Sequence, residues 1–183
     1  MVILITGASH TGKTLLAQRL LEKYKFPYFS IDHLKMGLIR SKNTNLTPND
    51  DEALTPYLWQ IVREIIKTAI ENGQNLIIEG CYVPFSWRSD FSEKYLRQIR
   101  FIALAMSDKF IDENFDKIKK HSRDIENRLD DTTCTKENLK ADNQNFIKGF
   151  LNNSEKIVLI DTNYKKTINE FLKEFKIKNQ IPK

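Results

Sequence analysis

The octapeptide Gly7-Ala8-Ser9-His10-Thr11-Gly12-Lys13-Thr14 follows the pattern G-x-x-x-x-G-K-T and is the most informative segment of this chain. It comes directly after an apolar run, residues 2–6, of the kind that forms a buried strand. It leads directly into an amphipathic helical period from Lys13 to Tyr24. Gly7 and Gly12 permit the tight path on which successive backbone N–H groups turn inward. The sequence therefore predicts a strand, a phosphate-binding loop (P-loop) and a helix whose N-terminus points at the phosphate.

Each part of this loop predicts a role toward a nucleoside triphosphate. The backbone N–H groups would surround phosphate oxygens, and the helix N-terminus adds roughly half a positive charge at the same point. The Lys13 ammonium can reach the β- and γ-phosphates, and the Thr14 hydroxyl is a ligand for Mg²⁺. ATP and Mg²⁺ are therefore the expected cofactors. The residues expected to bind them here are Gly7, Ala8, Ser9, His10, Thr11, Gly12, Lys13 and Thr14.

The rest of the chain alternates between short apolar runs and longer helical periods. Further strands are predicted at Tyr28–Ser30, Leu76–Ile78, Ile99–Met106 and Lys156–Ile160. Strands that alternate with helices form right-handed βαβ crossovers and a mainly parallel sheet. Because no linker, repeat or low-complexity tract interrupts the pattern, we expect a single α/β domain over residues 1–183.

Local signals predict where several helices begin. Asp32 is placed to cap the second helix, and Thr55-Pro56 reads as an N-cap followed by proline at the first position of the third. Ser107-Asp108 can cap the helix after the fourth strand, which would run from about residue 109 to near residue 128. Another helix is expected over residues 136–151, before the fifth strand.

Acidic side chains stand at or next to most of the predicted strand ends. In open parallel sheets, ligands bind beyond the carboxyl ends of the strands, so these positions are candidates for a site. The strand ends in question are Thr6-Gly7, Ser30-Ile31-Asp32, Glu79-Gly80, Ser107-Asp108 and Asp161-Thr162.

Composition excludes several other classes of protein. Hydrophobic residues make up 40% and charged residues 29% of the chain, the balance of a globular protein with an ordinary core. No apolar run approaches the roughly 18 to 20 residues of a membrane helix, and the start lacks the basic region of a secretory signal. Cys81 and Cys134 lie far apart, outside any C-x-x-C pattern, and are interpreted as reduced thiols of a cytoplasmic protein. The net charge is +5, but the basic residues near the C-terminus have few aromatic residues interleaved with them, as a nucleic-acid surface would need. A nucleic-acid partner is therefore not expected.

Several motifs resemble those of P-loop small-molecule and nucleotide kinases. Asp32, just after the second strand, is similar to the acid that binds the substrate hydroxyl in shikimate kinase. The segment Leu76-Ile77-Ile78-Glu79-Gly80 resembles the strand-three acid of 2-phosphoglycerate kinase-like and zeta-toxin-like proteins. Arg128-Leu129-Asp130-Asp131 is similar to the lid sequence of nucleoside monophosphate kinases, and Asp161-Thr162 resembles their loop beside the adenine. The segment after strand three departs from the D-G-F-P-R of nucleoside monophosphate kinases, because it reads Glu79-Gly80-Cys81-Tyr82-Val83-Pro84.

This resemblance implies a three-layer P-loop fold with five strands in the order 2-3-1-4-5 and a helical lid over about residues 109–135. It also implies roles for single residues. Glu79 would hold the metal or a metal-bound water, and Asp32 would orient the acceptor hydroxyl and accept its proton. Arg123 and Arg128 would close over the transferring phosphate, although pairing with neighbouring acids on an exposed helix is the alternative. Arg40 and Arg88 are candidates for gripping an anionic acceptor, and each could equally be a surface residue.

The sequence thus predicts an ATP-dependent phosphotransferase that moves the γ-phosphate to a hydroxyl or phosphate of a small metabolite or nucleotide. The guanine motif N-K-x-D of GTPases is missing near the C-terminus. One alternative is a zeta-toxin-like or regulatory protein that acts on a sugar nucleotide or a macromolecule. A second is a polynucleotide or RNA kinase, which the net positive charge alone favours. The acceptor and the oligomeric state stay open.

Overall fold

The computed structural model describes residues 1–121 and 134–177. In these ranges the chain alternates strands and helices as the sequence predicts. The strands are β1 Val2–Gly7, β2 Tyr28–Ser30, β3 Leu76–Glu79, β4 Ile99–Met106 and β5 Ile157–Ile160. The α-helices are α1 Lys13–Tyr24, α2 Ile31–Arg40, α3 Asp51–Glu71, α4 Glu93–Leu96, α5 Asp108–His121, α6 Lys136–Asn152 and α7 Tyr164–Glu174. None of these helices combines the length and apolar character that crossing a membrane requires.

The five strands form one sheet in the order β2-β3-β1-β4-β5, which confirms the predicted order. Every pairing in the sheet is parallel, so the carboxyl ends of all five strands meet at one edge. β3 brings Glu79 to that edge, opposite Ile5 of β1 on one side and Ser30 of β2 on the other. The P-loop, Glu79 and the start of α2 therefore lie at the same edge.

Helices cover both faces of the sheet and give it three layers. Side chains alternate along β1, so that Leu4 packs on one face with Leu58 of α3. Ile3 and Ile5 point to the other face and pack with Leu16 of α1. Because both faces are covered, every residue of β1 is buried, which is why its sequence is continuously apolar up to Thr6.

Two predicted helix starts are wrong. α3 begins at Asp51, so Pro56 lies inside the helix and not at its first position. Leu54 is fully buried one turn before the buried Leu58, so the apolar stripe begins ahead of Pro56. The burial of this turn offsets the backbone hydrogen bond that proline cannot make. α2 begins at Ile31 with Ser30 at the N-cap position, and Asp32 lies in the first turn and pairs with Lys35.

The cap predicted before α5 is confirmed, since the Phe110 amide donates to the Ser107 hydroxyl at 3.1 Å. The short 3₁₀ helix Trp87–Asp90 and α4 are not predicted, because segments of four residues are too short to carry a periodic signal.

Polar side chains join α5 to α6. Lys140 donates to the Asp112 carboxylate at 2.6 Å, and Gln144 donates to Asp108 at 2.7 Å. α5 covers the first half of the predicted lid over residues 109–135, and α6 begins directly after that range. The segment 122–133, with the predicted lid residues Arg123 and Arg128, lies outside the described residues.

Candidate active site

The P-loop joins β1 to α1 and is confined by a main-chain atom on one side and a side-chain hydroxyl on the other. At Gly7, a β-carbon would overlap the carbonyl oxygen of Leu104 in the neighbouring strand β4. At Gly12, where φ is 78°, a β-carbon would overlap the hydroxyl group of Tyr164. Positive φ together with this close approach explains why both positions of the motif require glycine.

Side chains inside the loop bond back to its own backbone. The Thr11 hydroxyl donates to the Ala8 carbonyl oxygen at 2.8 Å, and the Lys13 ammonium donates to the same oxygen at 2.9 Å. Lys13 is only 8% exposed, so its charge is held within the loop. An ammonium held there is placed to bind phosphate oxygens that the loop amides surround.

The pair Thr14 and Glu79 lies beside the loop. The Thr14 hydroxyl donates to Glu79 Oε2 at 3.4 Å, and Glu79 is 1% exposed at the end of β3. A hydroxyl and a carboxylate are oxygen ligands of the type that Mg²⁺ takes, usually together with phosphate oxygens and water. In the described part of the chain, no three His, Cys, Asp or Glu side chains form a ready-made metal site. These two residues therefore fit a metal that arrives with the nucleotide.

On the other side of Glu79, four polar side chains form a chain of contacts. Lys35 lies 3.2 Å from an Asp32 carboxylate oxygen and donates to the Tyr82 hydroxyl at 2.7 Å. The Tyr82 hydroxyl in turn donates to Asp51 at 2.7 Å. We call these four residues, Asp32, Lys35, Tyr82 and Asp51, the polar chain. It connects α2, the segment after β3 and the first turn of α3.

Cys81 lies between the P-loop and the polar chain. Burial raises the pKa of its thiol to about 11, and the charge of Lys13 opposes this rise while those of Asp32 and Asp51 add to it. The thiol is therefore protonated at neutral pH and is not a nucleophile. Glu79 contacts Thr14, and Tyr82 follows Glu79 by three residues, so the P-loop and the polar chain are close neighbours.

α6 adds a third carboxylate to this neighbourhood. Burial, and next the charge of Asp51, raise the pKa of Asp142. Asp32, Asp51 and Asp142 thus bring carboxylates from three helices to the neighbourhood of the polar chain. Lys35 is the ammonium group that the polar chain itself contributes beside these carboxylates.

The segment after β5 reaches the other side of the P-loop. The Tyr164 hydroxyl donates to the Gly12 carbonyl oxygen at 3.2 Å, and burial raises the pKa of this hydroxyl to about 12. Asp161 and Thr162, predicted to lie beside the adenine, are exposed and come just before it. Sequence reasoning missed Tyr164, because nothing in its local pattern distinguishes it from a residue of an ordinary helix start.

A second contact joins the loop to the chain that follows the lid segment. The Cys134 sulfur lies 4.0 Å from Nδ1 of His10, which has a positive φ of 63°. Residue 134 is the first described residue after the segment 122–133. The chain therefore leaves that segment next to the P-loop.

Two arginines predicted to grip the acceptor do not join this group. Arg88 binds both carboxylate oxygens of the buried Glu155, with an Nη2–Oε2 distance of 3.1 Å, and lies over the ring of Trp87. Glu155 precedes β5, at the end of the sheet opposite the P-loop. Arg40 is exposed at the last position of α2, about 12 Å along the helix from Asp32.

The sheet order and the P-loop define the class of this protein, which is that of the P-loop kinases. Residues 1–107 match the family described as chloramphenicol phosphotransferase-like protein, which is more than half of the 183 residues. The chain belongs to this family. No curated protein sequence shows significant similarity to the chain.

Solved structures support the same fold at low sequence identity. A deoxyadenosine kinase from M. mycoides has a TM-score of 0.57 and 15% identity, and the match covers 95% of this chain and 98% of that one. A shikimate kinase from Bacteroides thetaiotaomicron has a TM-score of 0.53 and 12% identity, with 94% and 97% covered. A sugar kinase from Janibacter sp. HTCC2649 has a TM-score of 0.52 and 15% identity, with 94% and 92% covered. At such identities the likeness concerns the fold.

Proposed function

We propose that this chain is an ATP-dependent phosphotransferase that moves the γ-phosphate of ATP to a hydroxyl group of a small molecule. The observation that carries the proposal is the grouping of three parts at one edge of the sheet. These parts are the P-loop with Lys13, the Thr14–Glu79 pair, and the polar chain with Asp32, and they lie side by side. Phosphoryl transfer needs these three parts, because it depends on holding phosphates, neutralising charge and orienting the acceptor.

On the nucleotide side, the loop amides and the Lys13 ammonium would hold the β- and γ-phosphates. Thr14 and Glu79 would hold Mg²⁺, which neutralises phosphate charge when bound. Asp161 and Thr162 would lie near the base, since Tyr164 ties the segment after β5 to Gly12. Arg123 and Arg128 are proposed to approach the transferring phosphate, where guanidinium groups stabilise developing charge.

On the acceptor side, Asp32 would accept a hydrogen bond from the acceptor hydroxyl and take its proton as the new P–O bond forms. The Asp32 carboxylate lies 3.2 Å from the Lys35 ammonium, and carboxylate oxygens accept hydrogen bonds from a hydroxyl group. The aligned hydroxyl oxygen then attacks the γ-phosphorus, and the leaving oxygen stays on ADP.

The charges of the polar chain favour an acceptor without negative charge. Asp32 and Asp51 belong to this chain, Asp142 is close enough for the charge of Asp51 to raise its pKa, and Lys35 is already engaged by Asp32 and Tyr82. Like charges brought together in a partly buried site cost free energy, so a phosphate or carboxylate on the acceptor would bind poorly. A neutral or amino-bearing hydroxyl compound is therefore a better candidate than a nucleoside monophosphate.

The test follows acceptor-dependent ADP release from Mg-ATP. The acceptors are sugars, amino sugars, polyols and chloramphenicol, set against sugar phosphates and nucleoside monophosphates. Lys13→Ala and Asp32→Asn are compared with Lys94→Ala and Glu93→Gln, which remove the same charges from exposed positions in α4.

We expect Lys13→Ala to lower turnover at least about a hundredfold, because a preorganised charge on the phosphates is lost. Asp32→Asn should lower kcat by about 10² to 10⁴ and leave ATP affinity unchanged. Turnover that survives Asp32→Asn would contradict the proposal. ATP binding that depends on Lys13, without any acceptor response, would favour the zeta-toxin-like or regulatory alternative, and strongly salt-dependent RNA binding would favour an RNA kinase.

A further inference from the structure

Tyr82 is the central member of the polar chain, and the proposed function assigns no role to it. It is 3% exposed, and its ring belongs to the core cluster that includes α3. Its hydroxyl accepts from Lys35 and donates to Asp51, both at 2.7 Å. A phenol offers one donor and can accept, so both capacities of this hydroxyl are used.

The two helices that Tyr82 connects differ in how firmly the core holds them. α3 buries seven side chains and is fixed by the core. Of the ten residues of α2, all of them described, Ile31 alone is buried. α2 therefore depends more on polar contacts for its position, and Lys35, in its middle, makes such a contact through Tyr82.

Asp32 lies one turn before Lys35 on the same helix, with its carboxylate 3.2 Å from the ammonium. A shift of α2 moves both residues together. A misplacement of about 1 Å in a reacting group can lower a rate about a hundredfold, so the position of α2 matters for Asp32.

We propose that Tyr82 is a positioning residue, which aligns Asp32 with the acceptor hydroxyl by anchoring Lys35, and with it α2, to the first turn of α3. The role of Asp32 in this proposal rests on the proposed function. The anchoring of α2 by Tyr82 does not depend on the proposed function. One measurement below tests the anchoring, and a second tests the alignment of Asp32.

The Tyr82 hydroxyl stays protonated over the whole working range of pH. Burial raises the pKa of Tyr82, followed by the charge of Cys81 and the hydrogen bond to Asp51. The hydroxyl is therefore a permanent donor to Asp51, and the link does not depend on pH near neutrality.

The experiment uses the full chain with Tyr82→Phe, which removes the hydroxyl and keeps the ring in the core. Tyr95→Phe is the matched control. Tyr95 also donates to a carboxylate on α3, that of Glu71, but at the end of the helix far from the P-loop. Both variants lose one tyrosine–carboxylate hydrogen bond, and Tyr82→Phe also loses the hydrogen bond from Lys35, which is the link under test.

The first measurement is amide hydrogen exchange of α2, which needs no acceptor. In Tyr82→Phe we expect exchange in α2 to speed up about fivefold, the ordinary effect of one lost hydrogen bond, while α1 and β1 stay unchanged. Tyr95→Phe should leave α2 unchanged. Equal exchange of α2 in wild type and Tyr82→Phe would overturn the proposal.

The second measurement is steady-state kinetics with the best acceptor of the panel. Tyr82→Phe should lower kcat/KM for the acceptor about tenfold or more and leave KM for ATP unchanged, a split that a merely structural role would not produce. Lys35→Met should act in the same direction, and the double variant should lose no more than the larger single effect, because both break one link. Additive losses, or a loss of ATP affinity in Tyr82→Phe, would overturn the proposal.

Absence of any acceptor turnover in wild type would instead count against the proposed function, and the exchange result would still decide the anchoring of α2.

Discussion

On the nucleotide side of the candidate site, a backbone loop is confined by main-chain and tyrosine oxygens that touch its glycines. On the acceptor side, four side chains from α2, α3 and the segment after β3 bond to one another. The nucleotide side is therefore built mainly from one continuous octapeptide, whereas the acceptor side exists only where three separate elements meet. This difference suggests that phosphate binding tolerates little change in the loop, and that acceptor choice is set by side chains that can vary one at a time.

The largest effect is expected from a methyl group added inside the loop. Gly12→Ala places a β-carbon where the Tyr164 hydroxyl lies, at a residue with φ of 78°. We expect a loss of about 1 to 2 kcal/mol of unfolding free energy from the positive φ, and ATP affinity at least about tenfold weaker because Tyr164 and the loop must shift. Calorimetric ATP titration and chemical denaturation measure the two effects.

Gly73→Ala is the matched control for the loss of unfolding free energy that the positive φ causes. Gly73 also has a positive φ, 66°, but a β-carbon there meets nothing within 4 Å. The control should lose similar stability and keep its ATP affinity. If Gly12→Ala bound ATP as tightly as Gly73→Ala, the close approach at the loop would not matter for the nucleotide.

A smaller change tests whether the segment after β5 belongs to the nucleotide side. Tyr164→Phe removes the donor to the Gly12 carbonyl oxygen, a net loss of about 0.5 to 1.5 kcal/mol. We expect ATP affinity to fall about two- to tenfold, with KM for the acceptor unchanged. Tyr24→Phe, which removes a donor to the Phe175 carbonyl oxygen at 2.6 Å, should lose stability without any change in ATP affinity. The same ATP affinity in both variants would place Tyr164 outside the site.

The smallest expected effect concerns Cys81, which lies between the two sides. Its folded pKa of about 11 is above the unfolded value, so the folded protein keeps a proton that the unfolded chain releases. The thiol therefore costs stability as pH rises from about 9 toward about 11, and has no such effect below that window. Urea denaturation of wild type and Cys81→Ser over this range should give a difference that changes with pH.

The two sides should act on this thiol in opposite directions. Lys13→Ala should raise the pKa of Cys81, and Asp32→Asn should lower it, as followed by the pH dependence of thiol alkylation. If neither substitution changed the pKa of the Cys81 thiol, the thiol would not lie close to both Lys13 and Asp32.

Local signals were enough to predict part of this arrangement. The apolar run before Gly7 and the helical period after Lys13 predicted β1 and α1, and Glu79 was found because acids are rarely placed at the end of a buried strand without a function. Pro56 misled the prediction for α3, since a proline at a first helical position and one inside a well-packed helix look alike in sequence. Tyr82 and Tyr164 were missed, because their partners lie 31 or more positions away along the chain.

Neighbours along the chain were enough to predict the P-loop, the alternation of strands and helices, and the acids at the strand ends. The order of strands in the parallel sheet then determines which of these residues lie next to one another. Folding links Asp32 through Lys35 and Tyr82 to Asp51 and brings Tyr164 into contact with Gly12. It also pairs Arg88 with Glu155, away from the polar chain. The physical reason is that these contacts join elements far apart in sequence, and a hydrogen bond depends on distance and direction in space, which no local pattern encodes.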